Sequence, residues 1–152
     1  MVPDLETFPL FKGIDARYLA LLRPLFERVS YRVGATVIEQ GADADFLYLI
    51  ENGKAAITYK PYDGDPITIT HVETGGFFGW SALVGGPAYT SSVVAIEGLD
   101  VMRMRGRDLR KLCQEYPEAG RTILDRLASS VSGRWKDAHE QIKSILKNGL
   151  NG

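Results

Sequence analysis

The sequence predicts a mainly β chain with flanking helices: an eight-stranded antiparallel β-roll of jelly-roll type, with short N-terminal helices and a C-terminal helical tail ending in a long helix. Three observations predict this class. Apolar residues recur at helical spacing near both ends of the chain but alternate in the middle. The β-rich runs of the middle follow one another at roughly 8–12-residue spacing. Between several of them Gly stands beside Asn, Asp or Glu, as in Asn52-Gly53, Asp63-Gly64 and Glu97-Gly98, the punctuation of tight turns.

Residues 1–27 are expected to be helical. In "DARYLALLRPLFERV" Asp15 takes the N-cap place, and Tyr18, Leu21, Leu22, Leu25 and Phe26 supply an apolar face. Pro24 removes an amide donor and clashes with the preceding turn, so it divides this region into two short pieces.

Residues 28–105 change period and form the roll. "SYRVGATVIEQG" alternates between Gly34 and Gly41. Phe46–Ile50 and Ala55–Tyr59 flank "ENGK", and Asn-Gly is a strong two-residue hairpin signal. "KPYDGDPITITHV" repeats the design around Asp63-Gly64. Ser92–Ile96 and Leu99–Arg105 make a further strand pair around Glu97-Gly98.

Helical spacing returns over 106–147. "RDLRKLCQEY" places Leu109 and Leu112 on one face, with Cys113 among them as a core residue and Pro117 beyond the end. A long helix follows, with Pro117 in its first turn. Leu124, Leu127, Val131, Trp135 (or Arg134), Ala138, Ile142 and Ile145 step at three and four residues. That stripe reads as the seam of a homodimer or as a face packed back on the roll. Gly120 and Gly133 each weaken the helix by about 1 kcal/mol against Ala.

At 152 residues the chain is long enough for one domain, 1–152, with a substantial core. Its 45% hydrophobic and 24% charged residues exclude a disordered chain. No apolar run approaches the ~18 residues of a membrane span, so no membrane association is expected. "MVPDLETFPLF" lacks the basic start of a secretory signal, and a cytoplasmic location is the expectation. The single Cys113 excludes an internal disulfide and a cysteine-cluster metal site. Net charge is −1, but Arg103 to Lys147 holds 11 Lys/Arg against 6 Asp/Glu. Such a surplus reads as a solvated helix face, with a polyanion-binding surface as the less common alternative. His71 and His139 stand apart with no acid–nucleophile arrangement, and P-loop, HExxH and GxSxG motifs are absent. No catalytic residue and no metal site are predicted, and an enzyme is not expected.

The stretch "GGFFGWSALVGGPAYTSSVVA", Gly75 to Ala95, poses the functional question. Glycine-rich turns leading into a short helix are how backbones cradle anions. Yet the stretch contains no Arg, Lys, Asp or Glu.

Three signatures, "LFKGI", "GATVIEQGADADFLYLIENGKAAI" and "GGFFGWSAL", together with the order of elements, resemble the cyclic nucleotide-binding domain. That domain is the sensor of bacterial catabolite-activator and fumarate–nitrate regulators, cyclic-nucleotide-dependent kinases and gated channels. The resemblance covers about Leu10 to Lys147 and implies that the glycine-rich stretch is a phosphate-binding cassette. Such cassettes read Phe-Gly-Glu, then a small residue or Leu, Ala and Leu, and later Arg with two small residues. The glutamate holds the ribose hydroxyl and the arginine pairs with the cyclic phosphate. Phe78, Gly79, Ala82 and Leu83 keep their places, but Trp80 stands for the glutamate and Tyr89 for the arginine, with Thr90 and Ser91 after it.

The candidate ligand site is therefore Phe78, Gly79, Trp80, Ser81, Ala82, Tyr89, Thr90 and Ser91. Trp80 reads as a stacking plate for a heterocycle or as a plug. The hydroxyls of Tyr89, Thr90 and Ser91 read as contacts to a neutral or weakly anionic group, or as ordinary turn and strand-edge residues. Arg134 and Trp135 are candidate lid residues, with a seam residue and a solvated neighbour as the alternative. The resemblance implies a non-catalytic ligand-sensing domain that takes an altered cyclic nucleotide contact or another small heterocyclic or anionic ligand. The alternative is a structural interaction module with an empty or self-filled pocket. Only "NGLNG" follows Lys147, so direct DNA binding is not expected and a protein partner is.

Overall fold

The computed structural model describes residues 5–84, 88–127 and 129. After a short turn at Leu5–Thr7, helix α1 spans Ala16–Leu22. Asp15 caps it as expected: its carboxylate accepts from the Arg17 amide at 2.9 Å. Pro24 stops it, and the chain passes through a tight turn at Arg23–Leu25. The buried face differs from the expected one. Leu19 and Leu22 are fully buried, whereas Leu21 and Leu25 are 42% and 37% exposed. With Pro24 limiting α1 to two turns, a single i, i+3 pair makes the inner contact.

The strands are β1 (Glu27–Tyr31), β2 (Thr36–Ile38), β3 (Phe46–Asn52), β4 (Lys54–Tyr59), β5 (Ile67–Glu73), β6 (Phe77–Phe78), β7 (Ser92–Ala95) and β8 (Leu99–Arg105). They form two four-stranded sheets, β1-β8-β3-β6 and β2-β7-β4-β5, antiparallel throughout. Both faces of β3 are buried, so it reads as a nearly continuous apolar run. Leu47 and Leu49 pack toward the helices with Phe8, Phe11, Leu19 and Met102. Tyr48 and Ile50 point into the roll with Ile57, Phe78, Val93 and Val101.

Two of the three expected hairpins are corners instead. β3 and β4 flank Asn52-Gly53 but belong to different sheets, as do β7 and β8 around Glu97-Gly98. Only β4 and β5, joined through Asp63-Gly64, pair with each other, from Lys54↔Glu73 to Tyr59↔Ile67. The two corners lie against one another. The Ile96 and Glu97 amides both donate to the Lys54 carbonyl, at 3.0 and 3.2 Å. Gly53 has φ +113°, and a Cβ there would collide with the Gly98 carbonyl oxygen. The same glycine beside Asn, Asp or Glu marks the corners and the hairpin alike, so local sequence does not separate them.

Beyond the roll, helix α3 spans Gly106–Glu115 and buries Leu109 and Leu112, while Cys113 is half-buried against the helix-side core. Residues 117–127 are helical. A Cβ at Gly120 would stand 2.7 Å from the Cys113 Cα, so this glycine allows a close helix crossing rather than merely weakening the helix. Ile123 and Leu127 are buried in the chain's own core, with 0% and 5% exposure, whereas Leu124 is 43% exposed. The expected seam is thus corrected at Leu127, which packs into the chain's own core while Leu124, three residues earlier, is exposed. Val131, Arg134, Trp135, Ala138, His139, Ile142 and Ile145 lie outside the described residues. Among the described residues no helix is long and apolar enough to cross a membrane.

Candidate ligand pocket

The pocket lies where β6 turns into the short helix α2 (Ser81–Val84), opposite the segment leading into β7. Gly79 makes that turn at φ +80°. A Cβ there would stand 2.7 Å from the Phe46 carbonyl oxygen and 3.2 Å from the Tyr48 ring, so conformation and space both require glycine. Phe78 is buried and stacks on Tyr48 with ring centroids 4.8 Å apart. Phe78 lines the cavity and Tyr48 backs it.

Of the expected residues, Phe78, Gly79, Trp80, Ser81, Tyr89, Thr90 and Ser91 line one cavity. Ala82 does not. It faces α3, where its carbonyl oxygen accepts from the Arg110 guanidinium at 3.4 Å and leaves no room for a Cβ on Gly106. Four wall residues escaped the sequence reading: Ile38, Ile57, Phe77 and Val93. Ile57 and Val93 lie on neighbouring strands of the second sheet, a pairing visible only once β4 and β7 are placed together. Among the described residues none that lines the cavity is Arg, Lys, His, Asp or Glu.

Tyr89, in the arginine place, is turned inward and 8% exposed. Its hydroxyl accepts from the Phe46 amide at 2.9 Å and donates to the Phe46 carbonyl at 2.7 Å. Its main chain is held as well, by bonds of 2.9 Å to Gly41 and Ala42. Burial is the main cause that raises the Tyr89 pKa, and burial raises that of Tyr48 to about 12. Both phenols are therefore neutral at physiological pH.

With Tyr89 in place, the cavity volume is about 20 Å³. That is room for about one water. Ser91 is 6% exposed, and its buried hydroxyl has no hydrogen-bond partner among the described residues. Thr90 is exposed. Trp80 is partly buried and packs against the helix-side core, whereas Tyr89 belongs to the core inside the roll. The two replaced anchors thus face different cores. Outside the lining, Arg103 and Arg105 sit over the Phe46 ring, 4.2 and 5.1 Å from its centroid, and Arg103 also bonds Glu27 at 3.1 Å.

Chemically, these walls favour an uncharged or weakly polar group. A phosphate placed there would lose its hydration without gaining an ionic partner from the lining.

Comparison with known proteins agrees with this architecture. The family model described as the cyclic nucleotide-binding domain matches residues 28–116. The chain is 34% identical over 104 residues to a cAMP-dependent protein kinase regulatory subunit of Aspergillus fumigatus, covering 68% of this chain and 24% of that protein. It is 25% identical over 130 residues to the cyclic AMP receptor protein of Thermus thermophilus, covering 86% of this chain and 58% of that one. The chain thus spans about a quarter and somewhat over half of these two relatives. Among solved structures, the regulatory subunit of a cAMP-independent protein kinase A from Trypanosoma cruzi bound to guanosine superposes with a TM-score of 0.75. It covers 95% of this chain and 48% of that one at 19% identity, a likeness of fold.

Proposed function

From its membership in the cyclic nucleotide-binding domain family, we propose that this chain is a non-catalytic ligand-sensing regulatory domain. Its ligand is not held by the ionic contacts that anchor a cyclic nucleotide. One observation carries the reading: Tyr89 fills the arginine place with a neutral phenol committed to the Phe46 backbone, and among the described residues no cation lines the cavity. Losing a charge-assisted hydrogen bond costs about 1.5–3 kcal/mol, ten- to a hundredfold in affinity. The relatives fit a regulatory role, since they include a kinase regulatory subunit and a bacterial receptor protein.

Output is expected through a protein partner and through a homodimer joined by the C-terminal helix. The stripe for that seam begins at exposed Leu124 and runs on through Val131, Trp135, Ala138, Ile142 and Ile145 by heptad-like spacing.

Titration calorimetry tests the ligand reading. Cyclic AMP and cyclic GMP should bind with Kd weaker than about 10 μM, near −7 kcal/mol. The double substitution Tyr89→Arg with Trp80→Glu should tighten cyclic AMP. Micromolar or tighter binding by the unmodified protein would overturn the reading. The small free volume favours a second reading, a scaffold whose pocket is filled by Tyr89. That reading predicts no thermal shift with any nucleotide or nucleoside.

A further inference from the structure

We infer that the pocket takes an uncharged planar heterocycle bearing adjacent hydrogen-bond donor and acceptor atoms, as on a nucleobase edge, and that Tyr89 holds this ligand's place until it binds. The inference rests on the ligand-sensing reading and gives it a chemical class.

Three features on and behind the walls converge on it. First, the Tyr89 hydroxyl both accepts from the Phe46 N–H and donates to the Phe46 C=O. One strand residue thus offers a donor and an acceptor together, and a lactam or amidine edge matches that pair. Second, the Ser91 hydroxyl is buried beside the cavity and unpartnered. A buried polar group without a bond costs about 1–3 kcal/mol, so the site retains a polar anchor for an incoming group. Third, aromatic walls with no ionic lining suit a flat neutral ring and penalise a phosphate ester.

The free volume of about 20 Å³ is too small for such a ring, so entry requires the phenol to leave. The two bonds released at Phe46 are then remade to the ligand. Tyr89 is consequently a competitor of the ligand and Ser91 a contact to it.

Guanosine and cyclic GMP form the discriminating pair of probes, because they share a base and differ in the cyclic phosphate. Calorimetry on the unmodified chain should give guanosine at least tenfold tighter binding than cyclic GMP. Tyr89→Phe, which keeps the ring but frees the Phe46 pair, should tighten guanosine severalfold. Ser91→Ala should weaken it about tenfold, with circular dichroism showing both variants folded. Cyclic GMP binding as tightly as guanosine would overturn the neutral-ligand inference and leave a ligand-sensing domain standing. Weaker guanosine binding by Tyr89→Phe, or unchanged binding by Ser91→Ala, would overturn the roles given to those residues. If neither the unmodified chain nor Tyr89→Phe binds either probe, the sensing reading falls with the inference.

Discussion

At the scale of single residues, the phenols of Tyr48 and Tyr89 make the roll interior sensitive to alkali. Burial is the main cause that raises both, Tyr48 to about 12 against an ordinary 10. Their folded pKa values lie above the unfolded ones, so the stability they contribute is complete below about pH 10 and is lost as pH rises toward 12. Absorbance at 295 nm should show Tyr48 and Tyr89 ionising only in strong alkali, together with loss of β-type circular dichroism. Early ionisation of all seven tyrosines with the fold intact would contradict the packing described. Tyr89→Phe should cost about 1–3 kcal/mol in denaturant unfolding, since it leaves a buried amide and carbonyl of Phe46 unsatisfied. Trp80 and Tyr89 do line one cavity, and their place in a glycine-marked stretch is local information that the sequence carries. The sequence did not reveal the partner of Tyr89, Phe46, which lies 43 residues away at the start of β3. Nor did it separate Ala82 from the wall, because a four-residue helix carries too little periodicity to show which side faces α3.

Among the elements, the apolar runs and turns were legible, but the pairing of strands across Asn52-Gly53 and Glu97-Gly98 was not. The glycine pairs there mark a change of sheet, and what distinguishes a corner from a hairpin is contact with the other corner. Gly53→Ala should therefore be costly, at least about 2 kcal/mol, because it combines positive φ with a collision against the Gly98 carbonyl. Gly98→Ala is the control. Its Cβ would meet nothing within 4 Å, and its effect should stay within about 0.5 kcal/mol. Equal losses in urea unfolding would remove the crossed-corner account. The tail gives a second contrast. Leu127→Glu should unfold the helix-side core, at about 3 kcal/mol or more, whereas Leu124→Glu should leave monomer stability nearly unchanged. Sedimentation of Leu124→Glu as a monomer beside a dimeric parent would place the seam on the Leu124 face. A parent that is itself monomeric at tens of micromolar would exclude the seam.

For the whole molecule, the question is how a small pocket inside a β-roll reaches the helices. The first sheet has one core on each side, and the pocket touches both: Tyr89 packs into the roll interior and Trp80 against the helix-side cluster. The other link is α2 itself, whose Ala82 carbonyl meets Arg110 and closes against Gly106 at the start of α3. Trp80 is thus placed to couple the cassette to α1 and α3 rather than to line the pocket alone. Trp80→Ala should then loosen the helix side selectively. Its stability cost should be about 1–3 kcal/mol, below that of a fully buried aromatic, because Trp80 is only partly buried. Amide hydrogen exchange should show lost protection in 16–25 and 106–115 while the β4–β5 hairpin keeps its own. Arg110→Ala should reproduce part of that pattern without altering the pocket walls, since its guanidinium touches α2 only from behind. If Trp80→Ala instead raised exchange evenly through both sheets, Trp80 would be a plug of the roll and the coupling role would fail. If it changed exchange nowhere, the indole would be a plate awaiting a ligand and the signal to the helices would have to run through Arg110 and Gly106.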